Sequence, residues 1–116
     1  MGLYREQPLT FPKRGDVYLC ELDPTVGSEI RKTRPALVVS PNELNEHWGT
    51  CLIAPMTTGS HPYPFRIPCT FSGTDGHVVV DQIRAVDTAR LVRHLGRLSP
   101  SSMARVLSVA REMFAD

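Results

Sequence analysis

Gly27-Ser28-Glu29-Ile30-Arg31-Lys32-Thr33-Arg34-Pro35-Ala36-Leu37-Val38-Val39-Ser40 decides the fold, because its character changes in the middle. As far as Arg34 it is polar, with one carboxylate, cations and hydroxyls. From Pro35 it becomes an apolar, β-branched run over 35–40, bare enough of polar groups to lie inside a sheet. Pro35 comes first in that run, where a missing N–H is tolerated. Upstream, 23–33 reads as a polar loop of 11 residues containing Pro24 and Gly27.

Working outward, 16–22 (DVYLCEL) is rich in β-formers and partly alternating, so it reads as a strand. Downstream, 41–48 reads as a loop with one helical turn, and 50–57 as a third strand with Pro55 near its end. Strands are expected at 63–68 and 77–80, joined into a hairpin by Gly73-Thr74-Asp75-Gly76. Short strands at 82–86 and 96–99 complete the β part. Proline is abundant, 10 of 116 residues, and most of it falls between these elements, as many short strands separated by turns require. The chain then changes period. Ser99 suits an N-cap and Pro100 the first helical position. Met103, Val106, Leu107, Ala110, Met113 and Phe114 make one apolar helical stripe, with Arg105, Arg111 and Glu112 on the wet side. The expected class is mainly β with a C-terminal helix (α+β), a compact barrel or strongly bent sheet with the helix packed on it. Residues 1–13 read as a loose arm before a single domain over 14–116.

Composition narrows the chemistry. A net charge of +1 excludes a broad polycation. Of the 13 basic residues, 11 are Arg, whose planar fork suits phosphate and carboxylate, although a codon bias gives the same count. Cys20, Cys51 and Cys69 are an odd number without CxxC spacing, which argues against a disulfide framework or a zinc site. His47, His61, His77 and His94 show no metal spacing and read as surface or turn residues, so no metal and no cofactor is expected. No apolar run is long enough to span a membrane, and the first residues lack an apolar export region, which makes the cytoplasm the default expectation.

Three polar segments at strand mouths are candidates for a site. The first is the loop ending in Arg34, held where loop meets strand. The second is Ala54-Pro55-Met56-Thr57-Thr58-Gly59, whose hydroxyls can serve an anion. The third is Asp81-Gln82-Ile83-Arg84, directly after three valines. Each also has an ordinary reading as a solvated loop, a strand-end turn or a charged hairpin edge. Their order is more specific than any one of them. Arg14-Gly15-Asp16-Val17-Tyr18-Leu19, Leu22-Asp23-Pro24-Thr25-Val26-Gly27-Ser28-Glu29, Arg34-Pro35-Ala36-Leu37-Val38-Val39-Ser40-Pro41, Ala54-Pro55-Met56-Thr57-Thr58, Tyr63-Pro64-Phe65, Asp81-Gln82-Ile83-Arg84 and Asp87 together resemble the MazF/PemK toxin family over about 13–114.

That resemblance implies an SH3-like barrel and a homodimer. It implies a metal-independent endoribonuclease that cuts single-stranded RNA at selected sequences and is neutralised by a cognate antitoxin. By position, the phosphate-handling arginine matches Arg34, the threonine Thr57, the loop carboxylate Glu29 and the DQ aspartate Asp81. One branch of the family has a His after the loop glycine and an Arg two residues before the DQ element. Here those positions are Ser28 and Val79, so the Arg–Thr scheme is the one kept whole. RNA can be cut by its own 2′-OH, so the protein need only align it, neutralise the phosphorane and move protons. Arg34, Thr57 and Glu29 are the expected catalytic residues, with Glu29 the expected acceptor of the 2′-OH proton and Asp81 the alternative carboxylate. Ser28, Arg31, Lys32, Thr58, Tyr63, Asp81, Gln82 and Arg84 are expected to bind RNA. Tyr63 or Phe65 offers a stacking face, with core packing the more ordinary reading for Phe65. The alternatives are a non-enzymatic toxin on the same barrel that binds a protein such as gyrase, and a plain SH3-like interaction module.

Overall fold

The computed structural model describes residues 11–22, 27, 32–47, 49–59 and 63–116. The arm read over 1–13 and the loop read over 23–33 therefore fall largely outside the described residues. In chain order the elements are β1 (Asp16–Glu21), β2 (Thr33–Val38), α1 (Asn42–His47), β3 (Thr50–Thr57), β4 (Arg66–Phe71), β5 (Thr74–Val79), β6 (Arg84–Asp87), β7 (Leu91–Arg97) and α2 (Pro100–Met113). Short 3₁₀ turns at Val80–Gln82 and Thr88–Arg90 lead out of β5 and β6.

All pairings are antiparallel, in the order β4-β5-β3-β2-β1-β7, with β6 also on β3. The apolar run becomes β2, in the middle of the sheet between β1 and β3. β3 is the hub. β2 runs along one side, and the other side is shared: β6 takes Thr50–Ile53 and β5 takes Met56–Thr57. Pro55, with no N–H to give, falls in the break between those two ladders. At the ends of the path, β4 and β7 approach through side chains. A Cβ built on Gly96 would come within 3.2 Å of the Phe71 ring, and the backbone there has φ +148°, so glycine suits both the space and the dihedral.

Period-two alternation along β2 and β3 sends side chains to both faces, and both faces are covered. One cluster joins Leu37, Ala54, Met56, Val78 and Val80 to Met103 and Val106 of α2. The other gathers Cys20, Leu22, Val38, Cys51, Ile53 and Val86. α2 starts as its sequence suggests, with Ser99 Oγ accepting from the Ser102 amide at 3.2 Å and Pro100 in the first turn. It ends at Met113, so Phe114 leaves the apolar stripe and stands 83% exposed.

Several boundaries differ from the sequence expectation. β2 begins two residues earlier than 35, because pairing with β1 continues through Cys20↔Arg34 and Glu21↔Thr33. Arg34 is thus inside a strand. The hairpin turn is Ser72-Gly73, not 73–76, and β4 and β5 shift to match. Ser72 and Gly73 have φ +50° and +76°, the left-handed pair that a tight two-residue hairpin requires. β7 is longer and earlier than 96–99, because it pairs with β1 from Asp16 to Cys20.

Candidate active site

The β2–β3 register is Ala36↔Pro55, Leu37↔Ala54 and Val38↔Ile53. Carried two residues further, it sets Arg34 opposite Thr57. On the other side of β3, Thr57 pairs with His77 of β5. Arg34, Thr57 and His77 therefore form one row across three neighbouring strands. Residues directly opposite one another in a sheet share a face, and these three line the same pocket, of about 100 Å³, with Thr58 and Asp75. Its width is set by the main chain: a Cβ on Gly76 would collide with the Thr57 carbonyl oxygen, so only glycine lets β5 close on β3 there.

A second hollow adjoins the first, lined by Thr57, Gly59, Tyr63, Arg66 and His77. Arg66 lies over the Tyr63 ring, 5.1 Å from its centroid, and its Nε donates to Asp81 Oδ1 at 3.3 Å. Asp81 thus reaches this wall through Arg66. His77 Nδ1 is 2.7 Å from the Gly59 carbonyl oxygen. A carbonyl oxygen only accepts, so Nδ1 carries the proton and Nε2 is the nitrogen that differs between neutral and charged imidazole. Cys69 also borders the pocket. Burial, and then Asp75, raises its thiol pKa, which keeps it protonated.

The candidates named from sequence separate clearly. Arg34, Thr57 and Thr58 meet in the first pocket, and Tyr63 stands at the second, 54% exposed. Phe65 is 39% exposed, so core packing does not describe it. Arg84 points elsewhere: its Nη1 donates to the Leu22 carbonyl at 3.1 Å, while Arg90 Nη1 donates to the Glu21 carbonyl at 3.2 Å. Both fasten the end of β1. Gln82 sits in the 3₁₀ turn after β5, and Lys32 is exposed just before β2 with φ +70°. Glu29, Ser28 and Arg31 lie outside the described residues. His77 and Arg66 are the residues that sequence reasoning missed. A lone His in a strand carries no signal until its cross-strand partner is known. Arg66 could have been noticed three residues after Tyr63, at the mouth of a strand. Among the described residues, no three His, Cys, Asp or Glu side chains gather as metal ligands, and no helix is long and apolar enough to cross a membrane.

Residues 13–114 match the model of the PemK-like, MazF-like toxin of type II toxin-antitoxin systems. The chain belongs to this family. It is 37% identical over 93 residues to the endoribonuclease toxin MazF of Escherichia coli K12, covering 79% of this chain and 84% of that one. Its fold resembles the crystal structure of MazF from Deinococcus radiodurans, with a TM-score of 0.81, 27% identity and coverage of 90% and 96%. It also resembles a mycobacterial endoribonuclease in complex with its cognate antitoxin, with a TM-score of 0.74, 26% identity and coverage of 87% and 92%. This PemK/MazF member has the mostly β, bent sheet with a C-terminal helix that those structures share.

Proposed function

We propose that the chain is the toxin of a toxin–antitoxin pair, an endoribonuclease that cuts single-stranded RNA at selected sequences. It works as a homodimer in the cytoplasm and is neutralised by a cognate antitoxin protein. The observation that carries this reading is the row of Arg34 and Thr57 on one pocket wall, in a chain whose relatives include endoribonucleases. An arginine fork neutralises the phosphorane that forms when the 2′ oxygen attacks phosphorus. The Thr57 hydroxyl donates to a phosphoryl oxygen, and Thr58 beside it supplies a second donor. Because the nucleophile is the substrate's own 2′-OH, this chemistry works without a metal, and the products are a 2′,3′-cyclic phosphate and a 5′-OH. The second hollow suits the bases. Tyr63 offers a face for an unstacked base, and the Arg66–Asp81 pair holds that ring's neighbour in place. Lys32 at the mouth of β2 adds charge for the RNA backbone, and Gln82 and Asp81 offer groups to base edges. The sequence offers Glu29, and in second place Asp81, as acceptor of the 2′-OH proton.

The purified chain is incubated with a mixed RNA in EDTA, and the fragment ends are read. Discrete fragments with 5′-OH ends are expected, and a 2′-deoxy substitution at the scissile nucleotide should abolish the cut. A strict need for added Mg²⁺, 5′-phosphate ends, or intact RNA would sink the reading.

A further inference from the structure

Among the described residues, His77 is the one titratable side chain that lines both hollows of the site, together with Thr57. It is the direct cross-strand partner of Thr57, which by register stands opposite Arg34. Neighbouring strands lie about 4.8 Å apart, so the backbones at Arg34 and His77 are about 10 Å apart with Thr57 between them. A phosphodiester held by Arg34 and Thr57 would have His77 on its far side. The imidazole is also oriented. Its Nδ1 donates to the Gly59 carbonyl oxygen at 2.7 Å, which fixes the tautomer of the neutral ring and leaves the Nε2 lone pair for another partner.

We propose that His77 Nε2 is the general base of the cleavage step, taking the 2′-OH proton in place of Glu29. The inference rests on the ribonuclease reading and adds a catalytic residue to it. As Nε2 takes the proton, the 2′ oxygen forms its bond to phosphorus. The bond from phosphorus to the 5′ oxygen breaks, the leaving oxygen takes a proton from water, and the imidazolium returns its proton to solvent. The charged groups facing the same space are Arg34 from β2, Asp75 from β5 and Arg66 from β4, the last tied to Asp81. A carboxylate of ordinary pKa is a weak base, whereas an imidazole is matched to proton transfer near neutral pH.

The test is single-turnover cleavage of a single-stranded RNA across pH, in EDTA, by the unsubstituted chain and by His77→Asn, His77→Gln and Glu29→Gln. Asn keeps a donor for the Gly59 carbonyl and lacks the distal nitrogen, so its thermal melt should match that of the unsubstituted chain. The expected result is an ascending limb of rate with pH that both His77 variants lose, with a loss on the order of 10² or more at the plateau. Glu29→Gln should keep that limb. On the unsubstituted chain, nitrogen-resolved NMR should find the Nδ1–H tautomer at His77, a readout that no folding defect disturbs. Cutting that His77→Asn leaves unaltered in rate and profile overturns this inference alone. So does a limb lost only in Glu29→Gln, a descending limb lost in place of the ascending one, or an Nε2–H tautomer. No cutting by the unsubstituted chain overturns the ribonuclease reading and this inference with it.

Discussion

The two ends of β3 are built from one strand and do opposite work. At Thr50–Ile53 the strand pairs with β6, and Cys51 and Ile53 sink into a cluster with Cys20, Leu22, Val38 and Val86. At Met56–Thr57 it pairs with β5, and Thr57 lines a pocket with Arg34 and His77. The first end is closed by side chains that need nothing but one another. The second is held open by the approach of two backbones, with Gly76 against the Thr57 carbonyl. On the proposed function, stability and chemistry are separated along about one strand's length, and substitutions at the two ends should report on different quantities.

The largest effect is expected at the closed end. Ile53→Ala removes a fully buried side chain and should cost about 2–5 kcal/mol in urea unfolding. Cleavage per folded molecule should hold, and a fall in that rate would dissolve the division. Next comes Arg34→Ala, expected to slow cleavage on the order of 10²–10³ with little change in the melt. Arg34→Lys should recover only part of it, because a point charge cannot make the two-pronged contact. An Arg34→Ala protein that fails to fold would make Arg34 a structural residue.

Gly76→Ala should affect both quantities at once. The added methyl meets main chain, so the strands must move apart, which costs about 1–3 kcal/mol by the usual measure of overpacking and spoils the Arg34–Thr57–His77 row. A Gly76→Ala protein with both melt and rate intact would refute the account of the pocket's width. The effect that is smallest near neutral pH is a drift that sets in at alkaline pH. Burial, then Cys20 and Asp87, pushes the Cys51 thiol from its ordinary 9.0 up to about 12. The folded state favours the neutral thiol, so its contribution is complete below pH 9.0 and is lost as pH climbs from there to about 12. Unfolding midpoints should fall over that window, and less so in Cys51→Ala.

How far the sequence could be read follows from the kind of signal each element carries. α2 was legible in Ser99, Pro100 and the Met103–Val106 spacing because caps and stripes are local. β3 was legible to the residue, since its apolar run ends in polar groups on both sides. The hairpin was misplaced because Gly73 and Gly76 look equally suited to a turn. Only the fold shows that Ser72-Gly73 makes the turn and that Gly76 is spent on close approach to Thr57. Arg34 and Thr57 could be named as types, but their meeting depends on the β2–β3 register. His77 needed a second register, β3 to β5, and no residue near it in sequence announces that partner. Ser28, Glu29 and Arg31 rest on the polar chemistry of their loop and on the resemblance, and they lie outside the described residues.

The seam between β4 and β7 has a consequence for how the sheet can move. Ladders of hydrogen bonds fix distance and register together, and they hold β2 to β3, β3 to β5 and β5 to β4. The Phe71 ring over Gly96 is a dispersion contact, which tolerates sliding and has no register to lose. β4 carries Arg66, which pairs with Val79 of β5, so the wall over Tyr63 is laddered on its inner side and meets the seam only on its outer side. The β4–β7 joint can therefore slip without breaking a ladder hydrogen bond.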